Sequence, residues 1–105
     1  MIRFLVVYNQ PTDVKAFEQH YREVHIPLTK KLAGLRRYTL SRNIAPIRGG
    51  EPYYLVAELD WDNRDALRQA FQSPEGQATA ADVANLAKIC PGVRSMIYEL
   101  EEVLE

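Results

Sequence analysis

Residues 2–28 read Ile2-Arg3-Phe4-Leu5-Val6-Val7-Tyr8-Asn9-Gln10-Pro11-Thr12-Asp13-Val14-Lys15-Ala16-Phe17-Glu18-Gln19-His20-Tyr21-Arg22-Glu23-Val24-His25-Ile26-Pro27-Leu28, and this stretch decides the fold. Ile2 to Tyr8 is β-branched and aromatic and ends at a breaker, Asn9-Gln10-Pro11, so it is expected to be a strand. Thr12 or Asp13 then offers an N-cap. From Val14 the pattern changes: Val14, Phe17, Tyr21, Val24, His25 and Leu28 fall within about 100° of one another at helical pitch, a single face. Pro27 removes an amide donor and restricts Ile26, which predicts a kink or break, a short second turn reaching Leu32 and a stop at Gly34.

Working outward, Leu35 to Arg42 reads as a second strand, followed by a loop holding Pro46, Gly49, Gly50 and Pro52. Tyr53 to Trp61 is a third strand. Asp62 or Asn63 caps a helix with an inner face of Ala66, Leu67, Ala70 and Phe71. Ser73-Pro74-Glu75 restarts a helix that runs to about Ala87, with a capping serine, a first-turn proline and an acid at the positive end of the dipole. Pro91-Gly92 leads into a last strand, Val93 to Glu102. The order is βαββαβ with a divided second helix, which predicts an α+β, ferredoxin-like fold: a four-stranded antiparallel sheet with helices on one face, in a single domain spanning 1–105.

The strands carry apolar residues on both faces. Leu5 and Val7 oppose Ile2, Phe4, Val6 and Tyr8; Val56 opposes Leu55, Ala57, Leu59 and Trp61; Met96, Tyr98 and Leu100 oppose Val93 and Ile97. Helices cover one face only, and a monomer rarely exposes an apolar patch of that kind. A homodimer closed through the open sheet face is therefore expected. A chain of 105 residues also buries only about 60–70 % of its surface when folded alone.

Composition narrows the function classes. The formal net charge is −1, with 47 % hydrophobic and 26 % charged residues, so a globular protein is expected with neither a nucleic-acid nor a membrane partner. Arg36, Arg37, Arg42 and Arg48 form a loose group read as solvated surface. Cys90, the only cysteine, sits in a turn without a motif for a catalytic thiol, and together with the short apolar N-terminus it points to the cytoplasm. No cofactor and no metal are expected: Gly49-Gly50 lacks the lysine and helix of a phosphate loop, and His20 lies on the helix flank, on a different face from His25 and in solvent.

The segment Phe17-x-x-x-Tyr21-x-x-x-His25-x-Pro27, followed by Leu32-Ala33-Gly34-Leu35-Arg36-Arg37-Tyr38, resembles the EthD family of dimeric α+β barrel proteins, named from ethyl tert-butyl ether degradation. Phe71-Gln72-Ser73-Pro74-Glu75-Gly76 is similar to the family's helix junction. The resemblance implies a homodimer whose two sheets close into a barrel. It also implies catalytic roles for His25 and Tyr38, which match the histidine and tyrosine of a methylmuconolactone-isomerising relative.

His25 can give or take a proton near neutral pH, and Tyr21 lies one turn earlier on the same stripe. The alternative is a helix-end histidine bonded to a carbonyl freed by Pro27. Tyr21, Tyr53, Trp61 and Phe71 either wall a substrate pocket or belong to the core. Glu58 pairs with His25 if it faces inward, or is an edge or interface charge. Two functions stand: a cofactor-independent enzyme (isomerase, cyclase or decarboxylase type) acting on a small carbonyl or aromatic metabolite through His25, or a non-catalytic binding or accessory protein using the same pocket.

Overall fold

A computed structural model describes residues 1–104. Its elements are β1 (Ile2–Tyr8), α1 (Val14–His20), a π-helical turn (Tyr21–His25), α2 (Ile26–Thr29), β2 (Arg37–Ser41), β3 (Leu55–Trp61), α3 (Arg64–Gln72), α4 (Pro74–Ile89) and β4 (Arg94–Glu99). The strands form one antiparallel sheet in the order β2-β3-β1-β4, the ferredoxin-like arrangement that the βαββαβ pattern implies. Capping follows side-chain chemistry. Asp13 accepts from the Ala16 amide at 3.0 Å, Asn63 from Ala66 at 2.9 Å and Ser73 from Gly76 at 3.1 Å.

All helices lie on the sheet face that carries Ile2, Val6, Tyr8, Leu55, Ala57, Leu59 and Trp61, and these join Phe17, Tyr21, Leu32, Ala70 and Leu86 in the core. The register sets Tyr38 beside Leu59 and Leu59 beside Phe4 on this inner face. The opposite face is mixed. Val7 pairs with Val56, and Leu5 with Glu58 and Met96. Arg3 lies between Glu58 at 2.7 Å and Asp60 at 2.8 Å. Glu58 is therefore an outward charge held by Arg3, and the inward pairing with His25 does not form.

The irregularity at Pro27 takes a specific form. Helix continues through it, but the Ile26 amide bonds to the Tyr21 carbonyl, five residues back, in a π turn. One extra residue is thereby absorbed into the helix, and the inner face advances by one position. Val24 is turned out, at 39 % exposed, while His25 and Thr29 are buried. The Lys31 and Leu32 amides close the end through bonds to Leu28 and Thr29, and Gly34 takes the left-handed conformation (φ 74°) as the chain passes the Trp61 ring.

Candidate functional site

Between the helices and the inner sheet face lies a cavity of about 250 Å³. Tyr8, Tyr21, His25, Tyr38 and Phe71 line it, with the hydroxyl side chains of Thr29, Thr79 and Ser95 and apolar side chains from β1, β3 and α4 completing the walls. Its described lining includes no lysine, arginine, aspartate or glutamate. The π turn delivers Tyr21 and His25 to this wall, with ring centroids 5.1 Å apart. From β2, Tyr38 brings its hydroxyl within 2.8 Å of the Tyr21 hydroxyl. Burial raises the titration of both phenols well above the ordinary tyrosine value, so both remain protonated donors.

His25 is almost fully buried, and its Nδ1–H donates to Asp82 Oδ2 at 2.9 Å. Burial lowers the imidazole pKa from its ordinary value, against the pull of Asp82, so the ring rests neutral at pH 7. Burial alone would raise the Asp82 carboxyl, but hydrogen bonds from Asn85, His20 and His25 more than offset it and hold the group as a carboxylate. With Nδ1 committed to that carboxylate, His25 keeps Nε2 as a lone-pair acceptor. Every fully buried side-chain nitrogen and oxygen among the described residues has a hydrogen-bond partner. The unbonded Nε2 therefore reaches accessible space, and the cavity is the space that His25 lines. A neutral imidazole, oriented by a carboxylate and open at the other nitrogen, is arranged as a general base.

Two parts of this arrangement depart from the sequence reading. Asp82, not Glu58, is the carboxylate partner. It lies on the buried stripe of α4 formed by Gly76, Thr79, Asp82 and Leu86, and an acid at core spacing was the available signal. His20 is also drawn in: its Nε2 lies 2.8 Å from Asp82 Oδ1, so both imidazoles meet one carboxylate although helical pitch separates them on an ideal α-helix.

Two expected wall residues stand outside the cavity. Trp61 is fully buried in the core and its indole N–H donates to the Ala33 carbonyl at 2.9 Å. Tyr53 lies at the surface, where its hydroxyl accepts from Arg94 at 3.1 Å. Its neighbour Tyr54 points inward instead, donating to Glu18 at 2.5 Å while Arg42 grips the same carboxylate at 2.8 and 3.1 Å. Cys90 is buried and its thiol donates to the Asn9 carbonyl, a structural contact in the turn. No group of three or more His, Cys, Asp or Glu among the described residues is arranged to hold a metal ion.

The EthD domain family matches residues 9–89, which contain the π turn, Tyr38 and Asp82. This chain belongs to the EthD family. An uncharacterized 11.0 kDa protein from the thcB-thcC intergenic region of Rhodococcus erythropolis is 38 % identical over 105 residues, covering 99 % of each chain. A crystal structure of an ethyl tert-butyl ether d (EthD) family protein from Bacillus halodurans is 33 % identical, with a TM-score of 0.84 over 96 % of this chain and 99 % of that one. A dimeric ferredoxin-like protein of unknown function from Thermobifida fusca shares the fold at 17 % identity, with a TM-score of 0.69 over 94 % and 90 % of the two chains. No helix of this EthD protein among the described residues is long and apolar enough to cross a membrane.

Proposed function

We propose that this EthD protein is a cofactor-independent enzyme that moves a proton on a small, uncharged carbonyl or aromatic metabolite, with His25 as the base. The observation that carries this reading is His25, backed by Asp82, on the wall of a cavity whose described lining holds no charged side chain. Nε2 takes a proton from carbon next to the substrate carbonyl, and Asp82 stabilises the imidazolium that results. The Tyr21 hydroxyl meets those of Tyr38 and Tyr8, and Tyr38 also meets Thr29; in this proposal a hydroxyl of this network turns to donate to the substrate oxygen. Such a step serves an isomerisation or cyclisation, and proton transfer of this kind contributes about 10²–10⁴-fold. An anionic substrate would enter a low-dielectric site containing the Asp82 charge and no lining cation, so uncharged compounds are favoured.

The working form in this proposal is a homodimer. Leu5, Val7, Val56 and Met96 make an apolar strip on the open sheet face beside the Arg3 ion pairs, and a second copy covering that strip satisfies the usual limit on exposed apolar surface.

The test is solvent deuterium exchange into simple aryl ketones and lactones, followed by NMR. Wild-type protein is expected to exchange the carbon-bound proton next to the carbonyl, and His25→Ala to lose that exchange while keeping its fold. Exchange that survives in His25→Ala sinks the proposal. A second reading, non-catalytic binding in the same cavity, is favoured by the lack of a lining cation to stabilise a developing enolate. Probes that shift cavity resonances without exchanging in any sample would select it.

A further inference from the structure

Asp82 gives each of its carboxylate oxygens to a different imidazole. Oδ2 accepts from His25 Nδ1 at 2.9 Å, while Oδ1 accepts from His20 Nε2 at 2.8 Å and from Asn85 Nδ2 at 3.0 Å. The three ionisable groups run from solvent to cavity. The His20 side chain is 29 % exposed, while Asp82 and His25 are 5 % and 7 % exposed. The other titratable groups around the buried end are the phenols of Tyr21 on the same helix, Tyr38 on β2 and Tyr8 on β1. Burial raises all three, so none supplies charge at neutral pH. Among the described residues Asp82 is thus the one charge in contact with His25, and His20 is the one titratable group hydrogen-bonded to that carboxylate from the solvent side.

We infer that His20 is a positioning residue coupled to His25 across Asp82: a proton on either ring opposes a proton on the other, so a proton gained by His25 inside the cavity drives a protonated His20 to release its own to water. Whenever His20 carries a proton it neutralises the carboxylate, while His25 rests neutral. When His25 takes a proton from substrate, two cations face one anion, and a buried excess charge is costly. His20 is the member in contact with water, so it gives up its proton there. The balance is one proton leaving substrate carbon for His25 Nε2, and one leaving His20 for solvent. Asp82 stays ionised throughout and carries no proton itself. The charge exchange rests on the reading of His25 as the base only for its catalytic use; the coupling between the two rings exists whether or not turnover occurs.

The experiment is a pH titration of the histidine ring resonances by NMR on the full chain. In wild type, the His20 and His25 curves are expected to depart from single-site behaviour and to depend on one another. His20→Gln keeps a neutral donor to Asp82 and should raise the His25 midpoint by about one pH unit, whereas His20→Lys, permanently cationic, should lower it. Opposite shifts from the two variants separate charge from packing, since a purely structural role would move both in one direction. Asp82→Asn should abolish the coupling. Independent single-site curves in wild type, or an unmoved His25 midpoint in folded His20→Gln and His20→Lys, would overturn the inference. If the variants do not fold, the wild-type curves decide it alone. A failure of deuterium exchange with coupling intact counts against the catalytic reading and not against this one.

Discussion

The Tyr21 carbonyl accepts the amide of Ile26, one residue later than an α-helix would allow, and Pro27 follows immediately. Pro27 has no amide and its ring crowds the carbonyl four residues back, so the widened turn relieves both problems. Replacing it restores the competing α-helical pattern. Pro27→Ala is expected to keep or increase thermal stability while turning Val24 and Leu28 toward the positions of His25 and Thr29. Loss of the wild-type His25 ring shift at unchanged helix content would register this. An unchanged environment for His25 would show that tertiary contacts alone hold the π turn.

The phenol pair makes a second prediction. Removing one hydroxyl leaves the other without this partner in a buried site, at a cost of about 1–3 kcal/mol, whereas removing both strands no partner within the pair. Tyr21→Phe and Tyr38→Phe should each destabilise, and the double variant should cost less than their sum. Urea denaturation supplies the double-mutant cycle; strict additivity would mean that the pair contributes nothing.

Gly76 lies in the first turn of α4 against the end of α3, where a Cβ would overlap the Ala70 carbonyl and the Phe71 Cα. Backbone atoms cannot swing aside as a flexible side chain can. Gly76→Ala is expected to cost about 3 kcal/mol, the upper part of the range for overpacking, read as a lower denaturation midpoint. A neutral effect would mean that the two helices slide apart freely.

Acid should weaken the fold through the same residues that build the site. Burial lowers the His25 pKa below its unfolded value of 6.5, so its contribution is present above that pH. As pH falls below it, the unfolded chain binds the proton first and stability drops. Asp82 has the same sign at lower pH, because its depressed carboxyl is stabilising only while ionised. His25→Gln should remove the upper part of the loss and leave the lower part, which melting temperatures between pH 7 and pH 3 would resolve; a variant with the wild-type profile would exclude His25 as the source.

Met96 stands half exposed on the open sheet face, beside Leu5. Met96→Glu places a charge in the proposed sheet-to-sheet interface and is expected to shift the protein toward the mass of one chain in light scattering, with far-UV circular dichroism unchanged. A dimer of undiminished stability would move the interface elsewhere.

Much of the fold was legible along the chain because its signals are local. Strand alternation, the Asp13, Asn63 and Ser73 caps and the apolar positions of β1 and β3 depend on neighbours within a few residues. The same is true of the stripe from Phe17 to Tyr21. Pro27 announced an irregularity but not its type, because a kink, a break and a π turn all begin with the same missing amide. For that reason Val24 was expected inside and His20 in solvent. Trp61 ends β3 and Tyr53 lies just before it, yet aromaticity does not distinguish a cavity wall from core or surface.

By itself, then, the sequence determined the βαββαβ order, the strand faces and the placing of Tyr21, His25 and Tyr38 toward the space between helices and sheet. Tertiary structure alone decided what His25 meets there. Asp82 arrives from α4, 57 residues further along the chain, and it captures His20 as well because the π turn and the packing of α4 set all three groups at hydrogen-bond distance. Periodicity describes one element at a time, whereas a shared carboxylate depends on how two helices pack, and that is settled only when the core closes around them.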